Sequence, residues 1–154
     1  MSSSKFFASM LFAMALLVAG PSMAAEKSSG FECPKLSKKL TAKEVFDGRM
    51  AALEAGNLDL AFCYYADDAV AMMPGSVIQG RDQVKAAFVN FGAIFGGKIP
   101  NPSTVTIQGD VVMATFAIDG PIASITDGAD TFVIRNGRIQ TQVVHATLTF
   151  HAQQ

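Results

Sequence analysis

The segment that decides the fold is AALEAGNLDLAFCYYADDAVAMMPGSVIQGRDQVKAAF, residues 51–88 of the 154-residue chain. It begins within a helical pattern, starts a second helix with Asn57 as the cap, and changes to extended spacing where β-forming residues begin. Pro74-Gly75 is typical of a turn that ends a strand, and another helix is predicted after the QGRD sequence. The segment therefore predicts two helices, a strand and a third helix in that order.

Asp67 and Asp68 lie where the second helix is predicted to give way to the strand. Because the two aspartates are adjacent, they cannot both face one substrate from a regular element. Aspartate commonly accepts hydrogen bonds from turn amides. We therefore expect this pair to mark a helix-to-strand boundary and look for catalytic groups elsewhere.

The first helix is predicted to begin near Ala42, because Thr41 and Glu44 form a capping box. Gly56 stands where a helix ends with a left-handed residue. Arg49 flanks the stripe of apolar side chains along this helix, which recur three or four residues apart: Phe46, Met50 and Leu53.

The third helix has a similar stripe and should stop at Gly96-Gly97. Large side chains in this arrangement are more often core than ligand site, although aromatic residues over a cavity would give the same pattern. The stripe consists of Val84, Phe88, Phe91 and Phe95.

The chain alternates from Ser103 onward, which predicts an antiparallel meander. Three tight-turn dipeptides divide it: Gly109-Asp110, Asp127-Gly128 and Asn136-Gly137. Helices followed by an antiparallel sheet indicate an α+β fold.

Residues 1–25 have the pattern of a secretory signal peptide, with Lys5 before a long apolar run and small residues at the exit. A retained membrane anchor is the alternative, but the run is short for a membrane span of about 20 residues. The remainder divides into a polar tail at 26–40 and one domain at 41–151. We expect a periplasmic or secreted protein with no stable membrane anchor after processing.

The formal net charge of the whole chain is −1, and 11 cations face 13 acids once Lys5 is removed. No basic run with interleaved aromatics is present, so nucleic acid is not an expected partner. The sequence also lacks a nucleophile elbow, a phosphate-binding glycine loop and a dinucleotide fingerprint, which leaves hydrolase, nucleotide-dependent and hydride-transfer chemistry without local support.

Cys33 and Cys63 are the two cysteines of the chain. In an exported protein such a pair favours a disulfide, which here would tie down the polar tail. Two buried free thiols are the alternative. Neither cysteine has metal-ligand spacing, and His145 and His151 do not pair with them, so we expect no metal and no cofactor.

The segment at 51–88, followed later by DTFVIRNGRIQTQVV at 130–144, resembles the nuclear transport factor 2-like superfamily, and within it the SnoaL-like and ketosteroid isomerase-like proteins. The resemblance runs from about Thr41 to Thr149. It implies a cystatin-like cone, in which three helices pack on a strongly curved antiparallel sheet and enclose an apolar cavity. Members of this fold carry out several reactions or only bind ligands, so the fold alone implies no activity.

The resemblance also assigns three functional positions. The carboxylate base of the ketosteroid isomerases is replaced by Met73, which cannot abstract a proton. Their phenolic donor is replaced by Arg49, and their protonated acid corresponds to Asp130. Classical steroid isomerisation is therefore not expected.

Asp130 begins a strand on which Phe132 and Ile134 share its face, so its carboxyl group must stay protonated or pair with a cation. Arg49 is the obvious cation. Three arrangements of Arg49 and Asp130 remain open: a structural ion pair, a pair that anchors or acts on a ligand, or two separated side chains. His145 could serve as a base if it faces the cavity, but the register leaves both faces of its strand open. Of Tyr64 and Tyr65, one is expected to lie in the core, and a hydroxyl group that reaches the pocket would be a possible hydrogen-bond donor.

Two hypotheses follow. The first is an exported domain that binds a small apolar or carbonyl-bearing molecule in a conical pocket. The second is a cofactor-free isomerase or lyase, resembling ketosteroid isomerases or polyketide cyclases, which uses Arg49, Asp130 and His145. The residues expected to contact the ligand are Phe46, Met50, Tyr65, Met72, Met73, Phe88, Phe91, Phe116 and Phe132.

By analogy with the superfamily, we also expect a homodimer that packs through the outer face of the sheet. The identity of the ligand does not follow from the sequence.

Overall fold

The computed structural model describes residues 31–152, and the predicted signal peptide lies outside this range. Within this range helices come first and most of the strands follow, as predicted. The helices are α1 (Ala42–Glu54), α2 (Leu58–Phe62) and α3 (Arg81–Ile94). The strands are β1 (Tyr65–Met73), β2 (Ser76–Gln79), β3 (Asn101–Gln108), β4 (Val111–Asp119), β5 (Ala123–Arg135), β6 (Arg138–His145) and β7 (Leu148–Phe150).

Local sequence signals explain the helix ends. The Glu44 N–H donates to Thr41 Oγ1 and the Thr41 N–H donates to the Glu44 side chain, which completes the capping box at the start of α1. Asn57 caps α2 through the Leu60 N–H, and Gly56 before it has a φ of 70°. These bonds satisfy amides that a helix start leaves without intrahelical partners.

The sheet has the strand order β2-β1-β6-β5-β4-β3, and β7 pairs with β5. β3 to β6 form the predicted antiparallel meander, whereas β1 pairs with β6 in parallel. Register shifts interrupt several of these ladders, including those between Phe116 and Ile118 and between Val133 and Ile134. Such irregularities bend and twist strands, and the unclosed sheet curves around the helices.

The predicted turn at Asp127-Gly128 is wrong, because both residues lie within β5. A Cβ atom on Gly128 would lie 2.4 Å from the Phe116 ring, so this glycine permits a close approach between β4 and β5. The turns at Gly109-Asp110 and Asn136-Gly137 are confirmed, since each separates two strands.

The predicted helix-to-strand boundary at Asp67 and Asp68 is also wrong, because β1 already begins at Tyr65. Both aspartates are exposed and lie where the pairing of β1 with β6 shifts register between Tyr65 and Val70. This irregularity explains how two consecutive side chains face solvent. Asp67 forms an ion pair with Arg81 at 2.7 Å.

A disulfide joins Cys33 to Cys63, with the two Cα atoms 5.4 Å apart. It fixes the segment before α1 to the end of α2. The carbonyl oxygen of Ser37 also occupies the space where Gly137 would carry a Cβ atom. The part of the tail that the structure describes is therefore held at two points.

The buried side chains form two clusters. The larger lies between the helices and the sheet, and the smaller is centred on Phe95, Phe116 and Ile125. The space between the two clusters is not filled by side chains, and it forms the cavity described next.

Candidate functional site

A cavity of about 260 Å³ lies between α3 and the concave face of the sheet. Most of its wall is apolar and comes from α3, β1, β4 and the last part of the chain. The lining residues are Ala71, Met73, Pro74, Ile78, Val84, Ala87, Phe88, Phe91, Pro100, Phe116, Asp130, Gln142, Val144, Ala146 and Leu148. We call this space the outer cavity.

Asp130 and Gln142 are the polar side chains of this wall. Asp130 pairs with Val144 across β5 and β6, and Phe132 pairs with Gln142. Positions two residues apart share one face of a strand, so this register places Asp130 and Gln142 together on the inner face. The Gln142 amide Nε2 donates to Asp130 Oδ1 at 3.1 Å.

Tyr65 extends this contact into a chain of three groups. Its hydroxyl donates to Gln142 Oε1 at 2.6 Å, and its side chain is only 1% exposed. Burial raises the pKa of the Tyr65 phenol, and the nearby Arg49 charge partly opposes that increase. The phenol therefore remains a donor that fixes the orientation of the Gln142 amide.

Burial also raises the pKa of the Asp130 carboxyl group. The Arg49 charge and the hydrogen bond from Gln142 act in the opposite direction but do not cancel the effect. An apolar environment thus favours the neutral acid, which can donate a hydrogen bond as well as accept one.

Arg49 lies on the buried side of α1 and is 3% exposed. Its guanidinium carbon is 5.2 Å from the centre of the Phe132 ring, 5.6 Å from that of Tyr65 and 5.9 Å from that of Phe88. These rings offer the cation their negative faces.

Arg49 and Asp130 face a common space without forming an ion pair. Both line a second cavity of about 30 Å³, the inner chamber. Within residues 31–152, no carboxylate oxygen lies within 4.0 Å of an Arg49 nitrogen. Of the arrangements that the sequence left open, a direct ion pair is therefore absent from this part of the chain, and the two residues instead line one chamber.

The expected ligand contacts divide between the two spaces. Met73, Phe88, Phe91 and Phe116 line the outer cavity. Phe46, Met50 and Phe132 line the inner chamber, together with Phe88 and Phe116. Tyr65 lies behind Gln142. Met72 lines neither space; it is 36% exposed on the convex face.

His145 lies outside both cavities. The inward-facing set on and after β6 is Gln142, Val144 and Ala146, whereas His145 is exposed. Its neighbourhood includes Asp127, whose pKa is lowered chiefly by the Thr147 N–H and to a smaller extent by His145. The geometry gives His145 no contact with the interior.

Sequence reasoning missed Gln142, which links Tyr65 to Asp130. The alternation of β6 places it opposite His145, but the sequence does not show which face is inward. Pro74, Pro100 and Leu148 were also missed, since they line the cavity from outside the regular apolar stripes.

Within the described residues, no group of three or more His, Cys, Asp or Glu side chains could hold a metal ion. A helix long and apolar enough to cross a bilayer is not found between residues 31 and 152 either.

Comparison with known proteins places the chain in a family. The model of the SnoaL-like domain matches residues 47–142, well over half of the chain. A search of curated proteins found no significant match.

Solved structures show the same fold at low sequence identity. A nuclear transport factor 2-like protein from Burkholderia xenovorans is 19% identical, with a TM-score of 0.60 over 73% of this chain and 87% of that chain. A candidate polyketide cyclase from Sinorhizobium meliloti is 20% identical, with a TM-score of 0.58 over 66% and 93%. A cystatin-fold protein from Novosphingobium aromaticivorans is 15% identical, with a TM-score of 0.59 over 69% and 98%.

Proposed function

This chain belongs to the SnoaL-like domain family, within the nuclear transport factor 2-like superfamily, and we propose that it binds a small, mostly apolar molecule with a carbonyl or hydroxyl group. The observation that carries this proposal is the outer cavity, an apolar space whose wall contains one hydrogen-bonded polar pair, Asp130 and Gln142. Apolar pockets with a few placed polar groups are typical of small-molecule sites.

The volume limits the size of the ligand. A dry apolar cavity of about 150 Å³ accommodates benzene. A cavity of about 260 Å³ therefore suits a molecule of roughly two fused six-membered rings. A four-ring steroid would extend beyond this space.

The polar pair gives the ligand an orientation. Gln142 uses its amide oxygen for Tyr65 and its amide nitrogen for Asp130. As a neutral acid, Asp130 can donate to a ligand carbonyl, and as a carboxylate it can accept from a ligand hydroxyl. The ligand's polar atom is accordingly placed beside Asp130.

A second candidate function is cofactor-free isomerisation or lyase chemistry. The raised pKa of Asp130 favours it, because a neutral buried acid can protonate or polarise a substrate oxygen. A neighbour described as a candidate polyketide cyclase agrees with this reading at the level of the fold. Binding ranks first, since Met73 occupies the expected base position and His145 is exposed outside the cavity.

We further propose that the protein is exported, on the basis of the signal-peptide pattern of residues 1–25.

We also propose that the protein forms a homodimer. On the convex face, a row of paired residues crosses four strands: Met72, Val143, Thr131 and Met113. Met72, Val143 and Met113 are 36%, 39% and 44% exposed. A second copy would cover these apolar side chains.

Calorimetric titration with 1-tetralone, a bicyclic ketone, tests the binding function. The variant Ala87→Phe places a ring in the outer cavity, and Val89→Phe adds the same ring to an exposed position of α3. We expect the wild type and Val89→Phe to bind, and Ala87→Phe to lose binding. Equal binding by both variants, or none by the wild type, would refute the proposal.

A further inference from the structure

The inner chamber adjoins the outer cavity but differs from it chemically. Phe88, Pro100, Phe116 and Asp130 line both spaces and mark where they adjoin. Arg49 lines only the inner chamber. The chamber therefore contains a buried cation that the outer cavity lacks.

Arg49 has unused hydrogen-bonding capacity. A guanidinium group remains charged in proteins and carries five N–H donors. Within residues 31–152, the buried Nε atom of Arg49 has no hydrogen-bond partner, and Nη1 donates only to the weak acceptor Met50 Sδ at 3.5 Å. Buried donors without partners are rare, and one on a cation is especially costly.

The surroundings supply no full counter-charge. Asp130 is the carboxyl group in the chamber wall, and burial biases it toward the neutral acid. The rings of Phe132, Tyr65 and Phe88 stabilise the cation, and the Tyr65 phenol also interacts with the guanidinium group, but Nε has no acceptor among the described residues. Among the residues that the structure describes, none gives Arg49 a negatively charged acceptor.

The chamber volume fits such an acceptor. A cavity needs about 10–15 Å³ to hold one water molecule, so a chamber of about 30 Å³ holds one or two oxygen atoms. It is too small for a carbon ring. The ring system of a ligand would therefore remain in the outer cavity, and the polar end of the same ligand would reach past Asp130 into the chamber.

We infer that the inner chamber is an oxyanion subsite, in which Arg49 binds a carboxylate oxygen of the molecule held in the outer cavity. The inference rests on the proposed binding function and narrows the ligand class to small bicyclic acids. Asp130 lines both spaces and, as a neutral acid, can donate to the same carboxylate.

The test compares 2-naphthoate with 2-naphthamide, which has a similar shape and no charge. Calorimetric titration of the wild type should give about 10- to 100-fold tighter binding of the naphthoate, the gain typical of a hydrogen bond to a charged group. Arg49→Met should abolish this ratio. The control is Arg135→Met, which removes an exposed arginine and should preserve the ratio.

Arg49→Met is suited to this purpose because methionine fills much of the same apolar space, and no carboxylate of residues 31–152 lies within 4.0 Å of Arg49 to be left unpaired by the change. Thermal unfolding verifies that the variant is folded. Should it fail to fold, Arg49→Gln serves instead, since glutamine keeps a donor but not the charge.

The outcomes separate the two proposals. Equal wild-type affinity for both probes, or a ratio that persists in the Arg49 variant, would overturn the oxyanion subsite and leave the binding function intact. If the wild type binds 1-tetralone but neither naphthalene probe, the proposed class of bicyclic acids is overturned. If none of the three binds, the binding function fails, and formate then decides the subsite. Formate should raise the melting temperature of the wild type more than that of Arg49→Met, and equal shifts would overturn the inference.

Discussion

Gln142 connects Asp130 to Tyr65, because its amide nitrogen donates to the Asp130 carboxyl group at 3.1 Å while its amide oxygen accepts from the phenol at 2.6 Å. Each atom of the amide has a fixed partner. Asp130, the one acid that the described residues contribute to the outer cavity wall, is thus held in place by hydrogen bonds from behind.

We expect Gln142→Leu to destabilise the protein by about 1–3 kcal/mol, because it leaves the buried Tyr65 hydroxyl without an acceptor. Tyr65→Phe should cost a similar amount, and the double variant should cost less than the sum of both. Urea unfolding measures the three free energies. Tyr64→Phe, on the neighbouring residue that packs over Gly48, is the control and should cause a smaller loss. Strict additivity would contradict the network.

Asp130→Asn should stabilise the protein at neutral pH. The pKa of Asp130 is raised by burial, so its favourable contribution is complete below the ordinary carboxyl pKa and is lost as pH rises through the higher folded-state value. The asparagine variant does not titrate and can still accept from Gln142. Urea unfolding across a pH series should therefore show an advantage for the variant that increases with pH.

The control for this series is Asp68→Asn, which removes an exposed carboxylate from β1. The advantage of Asp130→Asn is measured relative to this variant. An Asp130→Asn difference that is flat from acid to neutral pH would contradict the raised pKa.

Gly128→Ala should destabilise the protein by about 1–3 kcal/mol, because the new methyl group would overlap the Phe116 ring. Gly92→Ala on α3 is the matched change with no atom within 4 Å of the added Cβ. It should stabilise the protein by about 0.5–1 kcal/mol, since alanine favours helix over glycine. Thermal unfolding compares the two, and Phe116→Leu should rescue Gly128→Ala in part.

Cys33→Ser should lower the unfolding free energy by about 3–4 kcal/mol, the chain-entropy value for a loop of this length. Denaturation with and without a reductant measures the effect. Reductant should destabilise the wild type to a similar extent and leave the variant unchanged. A wild type insensitive to a reductant that demonstrably opens the bond would contradict this prediction.

Met113→Asp tests the proposed dimer, because it places a charge in the middle of the exposed row on the convex face. Light scattering should show a dimeric wild type and a monomeric variant at micromolar concentration. Val89→Asp on α3 is the control and should remain dimeric. A monomeric wild type would end the proposal.

Local signals predicted the parts of the fold that depend on a few neighbouring residues. The capping box of Thr41 and Glu44 and the turn at Asn136-Gly137 are examples, because each conformation is set within four residues. Asp127-Gly128 has the same turn signal, yet it lies in a strand. Gly128 leaves room for the Phe116 ring to pack closely against the backbone, and this contact arises only when β4 and β5 pair.

The site was predicted in composition but not in arrangement. Asp130 and most of the aromatic wall follow from strand alternation, helix spacing and the family resemblance. The sequence does not show which face of β6 is inward. Gln142 and His145 lie on opposite faces of this strand, the two faces have similar polarity, and the register depends on long-range pairing. The sequence likewise does not show that Arg49 and Asp130 are too far apart for an ion pair, because that distance depends on how α1 packs on the sheet.

The parallel pairing of β1 with β6 has a consequence for synthesis. Residues near position 70 pair early with β2, but they obtain their partners on the other side only when residues near 141 have been made, and contacts this distant in sequence form slowly. A nascent chain that ends before β6 has an unprotected edge on β1, next to the hairpin with β2. Late intermediates are therefore the stage at which this protein would need protection from aggregation.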